Sequence, residues 1–222
     1  MAHQRLQAQW QRLVAFNQCQ DSVQSNEWWI RLRNHYSEGA RQYHTLEHID
    51  NMFSLYEENR KKLTSAEEVG WAIVFHDVIY NPKARDNEDQ SAELFQTFAS
   101  ECLPESPSSM TQRVKELILM TKTHHTEAHQ VPNMYGEGDE HYFLDFDMQV
   151  LGWSSDDYDV YAQQIRQEYI HVPEQFYCSA RAQVLRTFLK TANIYATREF
   201  RDLYEVQARA NIEREIERLE GS

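Results

Sequence analysis

The segment Tyr43-His44-Thr45-Leu46-Glu47-His48 places two imidazoles four residues apart. On a helix such a pair shares one face, a turn apart. If the helix starts at Thr45, His44 lies just ahead of it and still points near His48. A lone histidine in a helical protein is usually a satisfied core or surface residue, and the second one beside a tyrosine shifts that reading only modestly. A stronger signal is Ala72-Ile-Val-Phe-His76-Asp77-Val-Ile-Tyr80, where a His–Asp pair interrupts one of the most apolar stretches of the chain. Desolvating an imidazole and a carboxylate costs several kcal/mol unless they are paired or bound to a metal. The plain alternative is a buried pair bonded to backbone or to a neighbouring arginine. Asp145 and Asp147 stand among large apolar residues in Phe143-Leu-Asp-Phe-Asp-Met-Gln-Val-Leu151. Helix capping accounts for one of these carboxylates but not for both. His124-His125 follow a helical segment, where the dipole of a C-terminus also favours histidine. Together these segments supply imidazoles and carboxylates from separate helices. That donor set suits Mn²⁺, Fe²⁺, Co²⁺, Ni²⁺, Zn²⁺ or Mg²⁺ rather than a thiolate-bound structural zinc.

The elements that must carry these groups are read from helical periodicity. Leu6, Trp10, Leu13 and Val14 mark a first helix. Ser25 or Asn26 is expected to cap a second one bearing Trp29, Leu32 and Tyr36. A third runs from about Thr45 to Arg60 with Leu46, Ile49, Phe53 and Tyr56 inward. Ser65-Ala-Glu-Glu68 reads as a capping box opening a helix through His76-Asp77 to Ile79. Asp86 is expected to cap a helix with Leu94, Phe95 and Phe98 inward, and Ser109 with Gln112 to open one containing Val114, Leu117 and Ile118. Residues 126–140 hold two Gly, a Pro and four acids, and read as a long loop at a pocket rim or a lid. Helical signals resume over Tyr142–Leu151 with Gly152 at the expected C′ position. Three further helices follow, from Ser154 or Ser155 to before Pro173, over about 174–192, and over about 198–219. The last carries Leu203, Val206, Ala210, Ile212, Ile216 and Leu219.

The expectation is an all-α bundle of nine or ten helices forming one domain over 1–222. Its motif core covers about 36–152, and helices of 154–219 pack on it. Hydrophobic residues make up 41% of the 222 residues, enough for a core, and six Gly with five Pro argue against a turn-rich β-fold. A net charge of −13 repels phosphate backbones and anionic lipid, so neither a nucleic-acid polymer nor a membrane is expected as partner. The longest apolar run, Trp71–Phe75, is far short of the roughly 20 residues of a membrane span. Cys19, Cys102 and Cys178 form no CxxC pair, and the first ten residues lack a signal peptide's apolar stretch. A reduced, cytoplasmic protein is expected, as a monomer or homodimer.

The order of these motifs resembles the HD superfamily of metal-dependent phosphohydrolases, and in particular a bacterial branch whose substrate is unassigned. The residues that carry the resemblance are Tyr43-His44…His48-Ile49, Phe75-His76-Asp77 and Asn87-Glu88…Ser91-Ala92. To these are added His124-His125, Asp145-Phe-Asp147-Met148…Leu151-Gly152 and Arg166-Gln-Glu168-Tyr169. They extend over about residues 36–210. The resemblance implies hydrolysis of a phosphate ester, of a nucleotide or of a small phosphomonoester or diester, with one or two divalent ions per chain. His48, His76, Asp77 and Asp147 would be the metal ligands. His44 would be the general acid to the leaving oxygen, and Asp77 or Glu88 the proton acceptor. His124 and His125 fall where a second ion or the substrate binds in related proteins. Asp145 would stand behind the ligands, orienting a histidine. Arg41, Lys122 and Arg166 are candidates for the phosphate, with Arg181 behind them, and each also reads as part of a solvated helix face. Two other functions remain in view: a di-iron oxygenase such as myo-inositol oxygenase, and a non-catalytic nucleotide-binding module.

Overall fold

The structure, a computed structural model, describes residues 2–17 and 22–221. These form eleven α-helices and two short 3-10 turns, with no strand among the described residues. The all-α class is therefore as expected, and the helix beyond ten is a four-residue one inside the 126–140 segment. None of the described helices is long and apolar enough to cross a membrane. Cys102 and Cys178 are free thiols, and Cys19 lies outside the described residues. The chain divides into two compact units, residues 1–123 and 124–222.

The first unit comprises α1 (Ala2–Phe16), α2 (Ser22–Tyr36), α3 (Leu46–Asn59), α4 (Ala66–Phe75), α5 (Asn87–Cys102) and α6 (Ser108–Met120). Helix α4 is its centre. Every residue from Val69 to Phe75 is buried, as expected of a helix that is apolar all round. Trp71, Phe75, Phe95 and Phe98 pack ring on ring, and Trp10 joins them 5.4 Å from Trp71 and 5.2 Å from Phe98. Helix α2 begins at Ser22 rather than at Ser25 or Asn26. Ser25 is buried inside the helix, where its Oγ accepts the Trp10 indole N–H at 3.2 Å. Leu6, Trp10 and Leu13 are buried, whereas Val14 and Leu94 are only half-buried. Ser65 and Asp86 occupy the N-cap positions of α4 and α5 without a side-chain cap hydrogen bond.

The largest departure from the expected elements is where α4 ends. It stops at Phe75, with His76 as its C-cap, and residues 76–79 form turns and bends instead of a further helical turn. The His–Asp pair is therefore on the exit turn of the most buried helix.

The second unit comprises α7 (Glu127–Gln130), α8 (Asp139–Met148), a 3-10 turn (Gln149–Gly152), α9 (Ser155–Glu168), α10 (Glu174–Lys190) and α11 (Arg198–Glu220). Helix α11 packs against the 3-10 turn, α10 and α9. Its inward stripe is Phe200, Ala208, Asn211, Ile212, Glu215 and Ile216, whereas Leu203 and Val206 face outward at 70% and 85% exposure. Polar members of the stripe hid it from a reading by hydropathy, and each has partners. Asn211 Nδ2 donates to the Leu151 and Trp153 carbonyls at 2.9 Å. Glu215 accepts from Tyr158 Oη at 2.5 Å and from Arg181 Nε at 2.9 Å. Gly152 is not a left-handed C′ glycine. It is required by close approach, since a Cβ there would lie 2.5 Å from Tyr204 Cβ.

Candidate metal centre

In the first unit the approach to the site begins at Thr45, the N-cap of α3, whose hydroxyl accepts the Glu47 N–H at 3.2 Å. His44 thus precedes the helix, and His48 occupies its first turn. Their rings still lie side by side with centroids 6.2 Å apart. The His44 ring stacks on Tyr80 at 4.2 Å.

Three donor atoms converge where α3 meets the exit of α4. His48 Nε2 lies 3.2 Å from His76 Nε2, and Asp77 Oδ2 lies 3.1 Å from His76 Nε2 and 3.9 Å from His48 Nε2. His76 Nδ1 lies 3.1 Å from the Ile73 carbonyl. A carbonyl only accepts, so that contact puts the ring proton on Nδ1 and leaves the Nε2 lone pair facing His48 and Asp77. The two contacts of His76 Nε2 match the spacing of ligands around one divalent ion, and the His48–Asp77 edge, at 3.9 Å, is wider. Donors about 2.0–2.2 Å from such an ion stand about 3.0–3.5 Å apart at right-angled to tetrahedral geometry. The imidazoles of His48 and His76 are 3% and 1% exposed, but the Asp77 side chain is 19% exposed. The cluster therefore opens on the carboxylate side.

The turn holding Asp77 is fastened from two directions. Arg41, buried at 4% exposure, donates through Nη1 to the carbonyls of His44 (3.0 Å) and Asp77 (2.7 Å) and through Nη2 to that of Val78 (2.8 Å). From α5, Ser91 Oγ accepts the Ile79 N–H at 3.1 Å. Asn87 accepts the Asn81 N–H and donates to the Asn81 carbonyl, both at 3.0 Å. This explains the Asn87-Glu88…Ser91 motif: Asn87 and Ser91 are one helical turn apart and face the same strap. Glu88, half-buried, lies in the first turn of the same helix. Lys122 forms an ion pair with Asp89 at 2.5 Å.

In the second unit, His124 has a left-handed backbone (φ 52°), and its Nε2 lies 2.8 Å from Asp147 Oδ2. His125 is exposed. It stands 6.3 Å, ring to ring, from His129, a residue that the sequence did not single out. His129 is buried and its Nδ1 accepts the Thr126 N–H at 3.0 Å, closing a capping box on α7. Burial first, and then the neighbouring imidazoles of His125, His141 and His124 and the Arg201 guanidinium, lower its pKa to about 3. Asp145 does not orient a histidine. Its carboxylate accepts the N–H groups of Ala196 (2.7 Å) and Thr197 (2.8 Å) and the Thr197 hydroxyl (2.6 Å), anchoring the start of α11. Burial raises its pKa to about 7, opposed by those same donors. Arg166 spends its guanidinium on the Tyr169 and Val172 carbonyls just beyond α9, at 2.8 and 3.3 Å, and Arg181 is engaged by Glu215.

The long 126–140 segment is tied to residues 193–201 of its own unit. Asn193 N–H donates to the His129 carbonyl at 3.1 Å, Gly136 N–H to the Ala196 carbonyl at 2.9 Å, and Arg201 Nη2 to the Ala128 carbonyl at 2.8 Å. Tyr135 lies under the guanidinium groups of Arg198 and Arg201, at 3.9 and 4.5 Å.

Comparison of the chain with protein-family models, with curated proteins and with solved structures finds no match.

Proposed function

We propose that the chain is a metal-dependent hydrolase of phosphate esters, of the HD type its motif order resembles, acting on a nucleotide or another small phosphoester. The observation that carries the reading is the mutual approach of His48 Nε2, His76 Nε2 and Asp77 Oδ2 to between 3.1 and 3.9 Å. A divalent ion would be held by His48, His76 and Asp77 and would supply Lewis acidity and a water of lowered pKa. Asp77, the most exposed of the three clustered groups, accepts a proton from the attacking water, with Glu88 as the alternative acceptor. His44, held by its stack on Tyr80, donates a proton to the leaving oxygen. Among the cations assigned to phosphate, Lys122 keeps that role best. Its partner is a single, half-exposed carboxylate, that of Asp89, whereas Arg41 and Arg166 are committed to backbone carbonyls.

The test is elemental mass spectrometry on the wild type and Asp77→Ala, paired with phosphate release from nucleoside monophosphates in Mn²⁺, Fe²⁺, Co²⁺, Ni²⁺, Zn²⁺ or Mg²⁺. Near-stoichiometric metal and turnover that both vanish in the variant are expected. A wild type that retains none of these ions after incubation overturns the reading. Two irons per chain with visible absorption and no phosphate release would favour the oxygenase instead.

A further inference from the structure

Helix α4 ends at Phe75, so the chain from Asp77 to Asn81 has no regular hydrogen-bond ladder of its own. Backbone groups in such a segment need other partners. Here side chains provide them: Arg41 at the carbonyls of 77 and 78, Ser91 at the N–H of 79, and Asn87 at both groups of 81. Arg41 goes further, because the Nη1 that holds the Asp77 carbonyl also holds that of His44. Its guanidinium lies 5.1 Å from the Tyr36 ring centre and 5.4 Å from that of Tyr80, the ring on which His44 stacks. A single planar cation thus links the segment before α3 to the turn after α4, through backbone and through an aromatic face. Three of its N–H groups are taken by carbonyls across two segments, which suits a strut, while its buried Nε has no hydrogen-bond partner.

We propose that Arg41, Asn87 and Ser91 are positioning residues that aim the Asp77 carboxylate at the His48–His76 pair, and that Arg41 also sets His44 in register with that carboxylate. This rests on the metal-dependent reading above. Lysine cannot replace Arg41, since one ammonium on a flexible stem does not reproduce a rigid fork across three carbonyls. Groups that orient metal ligands in this way typically alter affinity by about 10–100-fold when removed.

The test is titration of the full-length protein with Co²⁺, read as affinity and as the visible d–d spectrum, with folding followed by circular dichroism and thermal melting. Arg41→Lys and Asn87→Ala are compared with Trp28→Phe, which removes an indole bond to Glu101 elsewhere in the same unit. The expected result is about 10-fold or greater loss of Co²⁺ affinity and a shifted d–d band in the first two, with Trp28→Phe unchanged in both. Should Arg41→Lys fail to fold, Asn87→Ala, at the more exposed end of the strap, decides alone. Wild-type affinity and spectrum in the folded strap variants overturn the proposal, as does an equal shift in Trp28→Phe. Absence of Co²⁺ binding by the wild type overturns the metal reading and this proposal with it, a result distinct from intact wild-type binding with unaffected variants.

Discussion

At the scale of single residues, the two histidines of Tyr43–His48 separate by environment. His48 is buried against His76, while His44 is half-buried and stacked on Tyr80. The ligand and acid roles proposed for them should therefore be separable by mutation. His44→Gln is expected to keep its metal by elemental analysis while phosphate release falls about 10²–10⁴-fold, the usual weight of a general acid. Unchanged turnover at equal metal content would remove His44 from the mechanism. His129 gives a pH prediction. Its folded pKa of about 3 lies below the ordinary 6.5, so the folded state prefers the neutral ring. The stability it contributes is present above pH 6.5 and is lost as pH falls from there toward 3. Protonation would also remove the Nδ1 lone pair that accepts the Thr126 N–H. Glutamine at this position can serve the same capping box without titrating. Urea denaturation of His129→Gln between pH 7 and 4 should show a shallower loss of stability than wild type, and equal slopes would refute the assignment.

At the scale of elements, site geometry depends on where helices stop. The exit of α4 at His76, the cap of α3 at Thr45 and the strap onto α5 bring the clustered side chains together, each through a break in helical structure. In the second unit, the 3-10 turn at Gln149–Gly152 lies directly against α11. There Gly152→Ala places a methyl 2.5 Å from Tyr204 Cβ and 2.9 Å from the Tyr195 hydroxyl. Tyr204 Cβ is fixed to its backbone, and the buried Tyr195 hydroxyl is held by the Met148 and Gln149 carbonyls, so the contact must be relieved by shifting backbone. A destabilisation of about 1–3 kcal/mol is expected, measurable by chemical denaturation. A change within 0.5 kcal/mol would mean that the turn and helix yield more easily than their packing implies.

At the scale of the whole molecule, a metal that binds the folded chain and not the unfolded one must raise its stability by mass action. At about 100 times its dissociation constant the gain is about 2.7 kcal/mol. For a chain of 222 residues that corresponds to an upward shift in melting temperature of roughly 5–10 °C. Calorimetry with and without a chelator should show the shift in wild type and lose it in Asp77→Ala. An identical melting temperature with and without metal in the wild type would contradict a bound ion. On the proposed reading, the net charge of −13 adds a requirement of its own, because a phosphate substrate would have to meet local positive charge. With Arg41, Arg166 and Arg181 engaged by carbonyls or by Glu215, Lys122→Gln is expected to raise KM for an anionic substrate more than it lowers kcat.

The sequence by itself determined what local chemistry can determine. Helical stripes such as Leu46, Ile49, Phe53 and Tyr56 are buried as their spacing requires. Thr45 caps the helix that presents His48. His76 in a run of apolar residues is buried at 1% exposure, since a strongly apolar neighbourhood carries its polar members inside with it. Tertiary structure alone decided the partners. Arg41 reaches the Asp77 carbonyl across 36 residues, Asp145 finds Ala196 and Thr197 more than 50 residues away, and Glu215 finds Arg181 across 34. No local pattern encodes such pairs. Asp77 and Asp145 both stand among apolar residues in sequence, and the folded chain sets them apart by the partners it brings to each: His76 and His48 beside one, the Ala196 and Thr197 N–H groups on the other.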